Sequence, residues 1–160
     1  MLPSKFPLTD TELSHAKKAR VHIAFFGTKE NTCMRKKVLV TGASGFIGAN
    51  LVRTLLKRGD EVHVFQRSIK VPWRLTGIKE KIKSHKIEIN NREGVLKLVK
   101  KIKPEQVFHL AQYGCNPGEN DPAIIEKVMI VGTGAILDAC AETDSVKAVV
   151  NVGSFLEYGE

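Results

Sequence analysis

The feature that most constrains this chain is a glycine-rich turn set between two different hydrophobic periods. Val38-Leu39-Val40 is a short continuous apolar run, which reads as a buried strand. It leads into Thr41-Gly42-Ala43-Ser44-Gly45-Phe46-Ile47-Gly48. From Gly45 onward the period becomes helical. Ile47, Leu51 and Leu55 recur every four residues, with Val52 and Leu56 beside them, and Lys57, Arg58 and Gly59 supply a C-terminal stop. Each glycine answers a separate physical need. Gly42 permits a tight turn, Gly45 lets a pyrophosphate approach the helix start, and Gly48 lets the helix pack closely on the sheet. The unpaired N–H groups of the first helical turn then face an anion, aided by the helix dipole.

The same alternation continues along the chain. Val62-His63-Val64-Phe65 reads as a second strand, residues 67–86 as a long basic connection, and Ile87-Glu88-Ile89 as a weak third strand. Val95, Leu98, Val99 and Ile102 mark a helix closed by Pro104. Val107-Phe108-His109-Leu110-Ala111 is a fourth strand. Asp121-Pro122 is an N-cap followed by proline at the first helical position, opening a helix with Ile125, Met129, Ile136 and Cys140 on one side. Residues 148–152 form a fifth strand. Strand and helix in alternation predict an α/β domain, a Rossmann-type doubly wound parallel sheet of order 3-2-1-4-5. Its ligand crevice falls between the first and fourth strands, so Gly42 and Ala111 should face each other there.

Composition narrows the class of protein. A length of 160 residues is one domain's worth of chain, and 42% hydrophobic with 26% charged residues is ordinary for a globular fold. No apolar run approaches the roughly 20 residues needed to cross a bilayer. Cys33, Cys115 and Cys140 are an odd number without C-x-x-C spacing; they read as free thiols in a reducing, cytoplasmic setting, not as metal ligands. The net charge of +8 permits phosphorylated ligands, nucleic acid or anionic lipid, but no recognition motif accompanies it, so neither nucleic acid nor membrane is expected as a partner. Residues 1–33 carry Pro3, Pro7 and scattered charges without a signal-peptide layout, and Asp10 and Glu12 argue against a transit peptide. They are expected to be a poorly ordered extension, with the folded domain over residues 34–160.

Several segments in order resemble one family. The glycine turn, Glu88-Ile89-Asn90-Asn91, His109-Leu110-Ala111, Val131-Gly132-Thr133 and Gly153-Ser154-Phe155-Leu156-Glu157-Tyr158-Gly159 are similar to the extended short-chain dehydrogenases/reductases, specifically the NAD(P)-dependent nucleotide-sugar epimerases, dehydratases and reductases. The likeness implies hydride transfer between a nicotinamide and a sugar carbon. It implies a cofactor site built from Gly42, Ser44, Gly45, Phe46, Ile47, Gly48, Arg67, Glu88, Ile89, Leu110 and Ala111. It also implies that Ser154 hydrogen-bonds the substrate oxygen as part of the catalytic site.

Two departures shape the functional expectation. The acid that would bind an adenosine ribose at the end of the second strand is missing, because Gln66-Arg67 stands there. Arg67 can pair with a 2′-phosphate, which favours NADP over NAD. The Tyr-x-x-x-Lys general acid/base pair that the resemblance implies is absent. Tyr113 is followed four residues on by Pro117, and Tyr158 lies in the terminal motif. The expectation is therefore the NAD(P)-binding portion of a nucleotide-sugar enzyme, truncated after the fifth strand and inactive alone, with dimerisation in doubt. The alternative is a standalone NADP-binding regulatory module without catalysis. Met129, where the resemblance implies Asn, reads as core filler.

Overall fold

The computed structural model describes residues 35–68, 72–113, 118 and 120–153. Its five parallel strands are β1 (Lys37–Thr41), β2 (Glu61–Gln66), β3 (Ile82–Lys86), β4 (Gln106–His109) and β5 (Ala148–Asn151). They lie in the order β3-β2-β1-β4-β5, the doubly wound order that the alternation predicts. Helix α1 (Phe46–Lys57) follows β1, α2 (Arg92–Ile102) follows β3, and α3 (Pro122–Ile125) leads through a π-helical stretch (Glu126–Gly132) into α4 (Thr133–Ala141). The expected extension over residues 1–33 lies outside the described residues.

Successive side chains of the central strands feed two separate cores. Val38, Val40, Val62 and Val64 point to one face and meet Ala49, Val52 and Leu55 of α1, together with Leu75 and Ile82. Leu39, Phe65 and Val107 point to the other and meet Val95, Val99 and Ile102 of α2 and Ala135, Ile136, Ala139 and Cys140 of α4. Burial on both faces explains why these strands are continuous apolar runs and not alternating ones. The apolar stripe of α1 holds at Val52 and Leu55, with Leu51 and Leu56 packed against the core, and differs from the sequence expectation at Ile47. Its buried positions are Gly48, Ala49, Val52 and Leu55, whereas Ile47 is 64% exposed. The helix turns its small residues toward the sheet, and that close approach rotates Ile47 outward.

The third strand also lies elsewhere than its apolar content suggests. Within the stretch read as a basic connection, residues Trp73–Lys81 form a 3-10 helix and Ile82–Lys86 form β3, paired from Val62↔Ile82 to Gln66↔Lys86. As an edge strand it buries only Ile82 and is held by backbone hydrogen bonds, so it carries little apolar signal. Ile87-Glu88-Ile89, expected as that strand, comes after its end, with one further bond from Ile87 N–H to the Gln66 carbonyl.

The helix caps follow the sequence. The Asp121 carboxylate accepts from the Ala123 and Ile124 amides at 2.9 and 3.4 Å, with Pro122 at the first helical position. Asn91 caps α2 through its bond from Gly94 N–H. Along the helix opened by Asp121, Ile125 and Met129 are half-buried while Ile136 and Cys140 are buried. No helix among the described residues is long and apolar enough to cross a membrane.

Candidate functional site

The site begins at the point where the strand order reverses. β1 pairs with β2 on one side and β4 on the other, so the chain after β1 and the chain after β4 leave the sheet in diverging directions. Gly42 turns with φ +68°, and a Cβ there would stand 2.4 Å from the Leu110 carbonyl carbon and 2.6 Å from the Ala111 nitrogen. Both the backbone conformation and the space therefore demand glycine. A Cβ at Gly48 would lie 2.3 Å from the Gly42 carbonyl oxygen, so α1 rests directly against the turn. Gly45 differs. Its added Cβ would touch only the Gly42 oxygen at 3.3 Å, leaving the N-terminal end of α1 open.

That end is chemically bare. Gly45 is the N-cap, no side chain caps the helix, and no acid lies in its first turn. The first intrahelical bond runs from Ala49 N–H to the Gly45 carbonyl at 3.0 Å. A 12-residue helix thus presents its first amides and its positive dipole end without a competing carboxylate, which suits an anionic ligand.

A cleft of about 630 Å³ opens over this turn. Its floor is Gly42, Ser44, Gly45, Phe46, Ile47 and Gly48. One wall is Phe65, Gln66, Arg67 and Ser68 with Ile87, Glu88, Ile89 and Asn90, and the other is Leu110, Ala111, Gln112 and Tyr113. All the cofactor-site residues singled out in the sequence therefore surround one cavity. Pro72, Val128 and Val152 complete the lining and were not anticipated. Val128 belongs to the π-helical stretch, whose wider turn leaves no mark in a residue-spacing pattern. Val152 follows β5, and its place after the strand nearest β4 was the available signal. Phe46 and Ile47 are largely exposed because they face this opening. Ser154, expected in the catalytic site, and Tyr158 lie outside the described residues.

Beneath the cleft lies a buried polar junction. His109, 2% exposed, ends β4 with its Nδ1 2.6 Å from Thr41 Oγ1 and its Nε2 3.1 Å from Thr133 Oγ1 of α4. Thr41 Oγ1 also accepts from the Leu110 and Ala111 amides, each at 3.2 Å. Burial holds the His109 imidazole below its usual pKa, so it is neutral at neutral pH. Behind the wall that holds Ile89, Gly132 is pressed against that side chain. A Cβ on Gly132 would lie 2.7 Å from both Cγ1 and Cδ1 of that side chain.

A doubly wound parallel sheet of order β3-β2-β1-β4-β5 with an open helix start at its switch point is a fold of Rossmann type. Comparison with known proteins gives the family: residues 38–160 match the NAD dependent epimerase/dehydratase family, and the chain belongs to it. It is 32% identical over 124 residues to tetraketide alpha-pyrone reductase 1 of Arabidopsis thaliana, covering 74% of this chain and 37% of that protein. It is 27% identical over 131 residues to CDP-paratose 2-epimerase of Salmonella typhi, covering 78% of this chain and 38% of that one. Among solved structures, WbmH of Bordetella bronchiseptica in complex with NAD+ superposes with a TM-score of 0.68 at 25% identity, covering 79% of this chain and 42% of that chain. The chain thus spans less than half the length of these relatives.

Proposed function

We propose that this chain is the dinucleotide-binding part of a nucleotide-sugar epimerase, dehydratase or reductase, with NADP favoured over NAD. The observation that carries the reading is the bare N-terminus of α1 opening into the switch-point cleft, with Gly42 and Gly48 fixing the turn beneath it. The Phe46, Ile47 and Gly48 amides would hold the pyrophosphate, and Gly45 would let it approach. Arg67 would pair with the 2′-phosphate and Glu88 would meet the adenine amino group. The Leu110-Ala111 backbone would line the path toward the nicotinamide, which supplies hydride transfer when bound. CDP-paratose 2-epimerase supports a nucleotide-sugar substrate, and the NAD+ complex of WbmH supports a nicotinamide cofactor.

On this reading Ser154 orients a substrate oxygen. Tyr113, with Pro117 four residues on, does not fit the general acid/base role of a Tyr-x-x-x-Lys pair. We place the protein in the cytoplasm and expect binding without turnover from these 160 residues. The test is a titration of the 160-residue chain with NADPH and NADH beside a Gly45→Asp variant. Asp is a favoured N-cap, so the variant should stay folded while its carboxylate occupies the helix amides. Binding by the parent and loss in the variant is the expected result. Equal binding by both would place the cofactor elsewhere, and no binding by the parent would end the proposal.

A further inference from the structure

The hydrogen-bond partners at the junction under the cleft favour one arrangement of protons. Thr41 Oγ1 has one proton to give and two lone pairs. The Ala111 amide donates to it at 3.2 Å, and the Leu110 amide is shared between it at 3.2 Å and the Thr41 carbonyl at 3.3 Å; both are donors only and face its lone pairs. The hydroxyl proton must then point at the third neighbour, His109 Nδ1, at 2.6 Å. Nδ1 is therefore an acceptor and carries no proton. In a neutral imidazole the proton then sits on Nε2, which donates to Thr133 Oγ1 at 3.1 Å. The opposite tautomer would aim three donors at one oxygen and leave the hydroxyl proton without an acceptor, in a place where Thr41 is fully buried.

This arrangement reaches the cleft through the backbone. Leu110 and Ala111 form the wall facing the glycine turn, and the Gly42 turn touches their peptide unit so closely that no Cβ fits between them. The orientation of that peptide is set by the Thr41 hydroxyl, and the hydroxyl is oriented by His109. Thr133 fixes the imidazole from the far side, tying α4 to the same point.

We propose that His109 is a positioning residue for the bound dinucleotide: as the Nε2–H tautomer it takes the Thr41 hydroxyl proton and turns that oxygen's lone pairs onto the Leu110 and Ala111 amides. The role rests on the nucleotide-binding reading and adds to it a residue that lies under the cleft rather than in its lining. The side chain does not touch the ligand; it acts through Thr41.

Two measurements on the 160-residue chain test this. The first is the pair of imidazole 15N chemical shifts of His109 at neutral pH without cofactor. The expected signature is an unprotonated Nδ1 and a protonated Nε2; a protonated Nδ1 overturns the proposal whatever the chain binds. The second is NADPH and NADH affinity in Thr41→Val and Thr41→Ser, with folding checked by amide dispersion. Val keeps the shape and removes the oxygen, so affinity should fall about tenfold, and Ser, which restores the oxygen, should recover most of it. A Val variant that is folded and binds like the parent overturns the positioning role while leaving nucleotide binding intact. A parent that binds neither cofactor overturns the nucleotide reading and this role with it.

Discussion

His63 Nδ1 lies 2.9 Å from His85 Nε2, joining β2 to the edge strand β3 through two nearly parallel imidazole rings. The other nitrogen of His63 faces Glu61 Oε1 at 2.9 Å, and Lys83 Nζ reaches the same carboxylate oxygen at 2.7 Å. The carboxylate takes the His63 Nε2 proton, so His63 Nδ1 accepts from His85 Nε2–H. The pair is joined only while His63 Nδ1 is unprotonated. Burial depresses the pKa of both rings, and for His63 it outweighs the pull of Glu61.

Acid stability should follow from these groups. His63, His85 and His109 all have folded-state pKa values below the ordinary 6.5, so the unfolded chain binds more protons than the folded one as pH drops. The stability they contribute is complete above about pH 6.5 and is lost as pH falls from there toward their folded values. Each such group adds a slope of at most about 1.4 kcal/mol per pH unit. Glu61, held down to about 2 by Lys83 and His63, contributes stability that is present above the ordinary carboxylate pKa and disappears only as pH falls through its folded value. Urea unfolding between pH 8 and 5 should show the midpoint falling below pH 6.5. A flat midpoint down to pH 5 would contradict the histidine assignments.

Arg67 should separate the two cofactors. It lies exposed on the cleft wall at the end of β2, where a guanidinium can form a forked, charged pair with a 2′-phosphate but only a single hydrogen bond to the neutral oxygen of a 2′-hydroxyl. Arg67→Ala should weaken NADPH binding about tenfold, in line with the roughly 1.5–3 kcal/mol of a charged hydrogen bond, and leave NADH within about twofold. Equal losses for both cofactors would mean that Arg67 serves the shared adenosine, not the phosphate.

Gly48 and Gly77 form a matched pair of alanine substitutions. A Cβ at Gly48 would overlap the Gly42 carbonyl oxygen and the Ala43 Cα, both backbone, whereas one at Gly77 would meet nothing within 4 Å. Gly48→Ala should cost about 1–3 kcal/mol of stability as α1 is pushed off the turn, and should weaken cofactor binding with it. Gly77→Ala should be nearly neutral. Thermal melts of the two variants check this directly.

The fold was legible where one residue pattern answered several demands together. The turn at residues 41–48 had to be small, tight and followed by a helix, and those needs coincide in Gly42 and Gly48. Asp121-Pro122 was equally plain, because capping is local chemistry. The third strand was misplaced because β3 pairs through its backbone and buries only Ile82, while Ile87 and Ile89 carry apolar side chains just beyond it, one into the core and the other into the cleft wall. The α1 stripe departs from the pattern only at Ile47, for a related reason; Val52 and Leu55 are buried, and Leu51 and Leu56 pack against the core. Glycine and alanine contribute little to an apolar count, yet they are what α1 turns to the sheet. The cleft residues were legible from their motifs, whereas Val128 was not, because a π-helical turn shifts which side chains share a face.

The contact between Ile89 and Gly132, where the π-helical stretch runs into α4, couples that helix junction to the cleft wall and can be measured as such. An added methyl at residue 132 meets Cγ1 and Cδ1 of Ile89, both side-chain atoms, so the strain is relieved by moving that side chain rather than the helix. Ile89 lines the cleft, so its displacement changes the cavity. Gly132→Ala should therefore weaken cofactor binding although residue 132 is buried behind Ile89 and outside the lining. Trimming Ile89 to Ala removes both opposing atoms. The double variant Gly132→Ala, Ile89→Ala should bind better than the sum of the two single losses, with a coupling of about 0.5–3 kcal/mol from a double-mutant cycle on cofactor affinity. Strict additivity would show that the methyl is absorbed elsewhere and that the helix junction does not set this wall of the cleft.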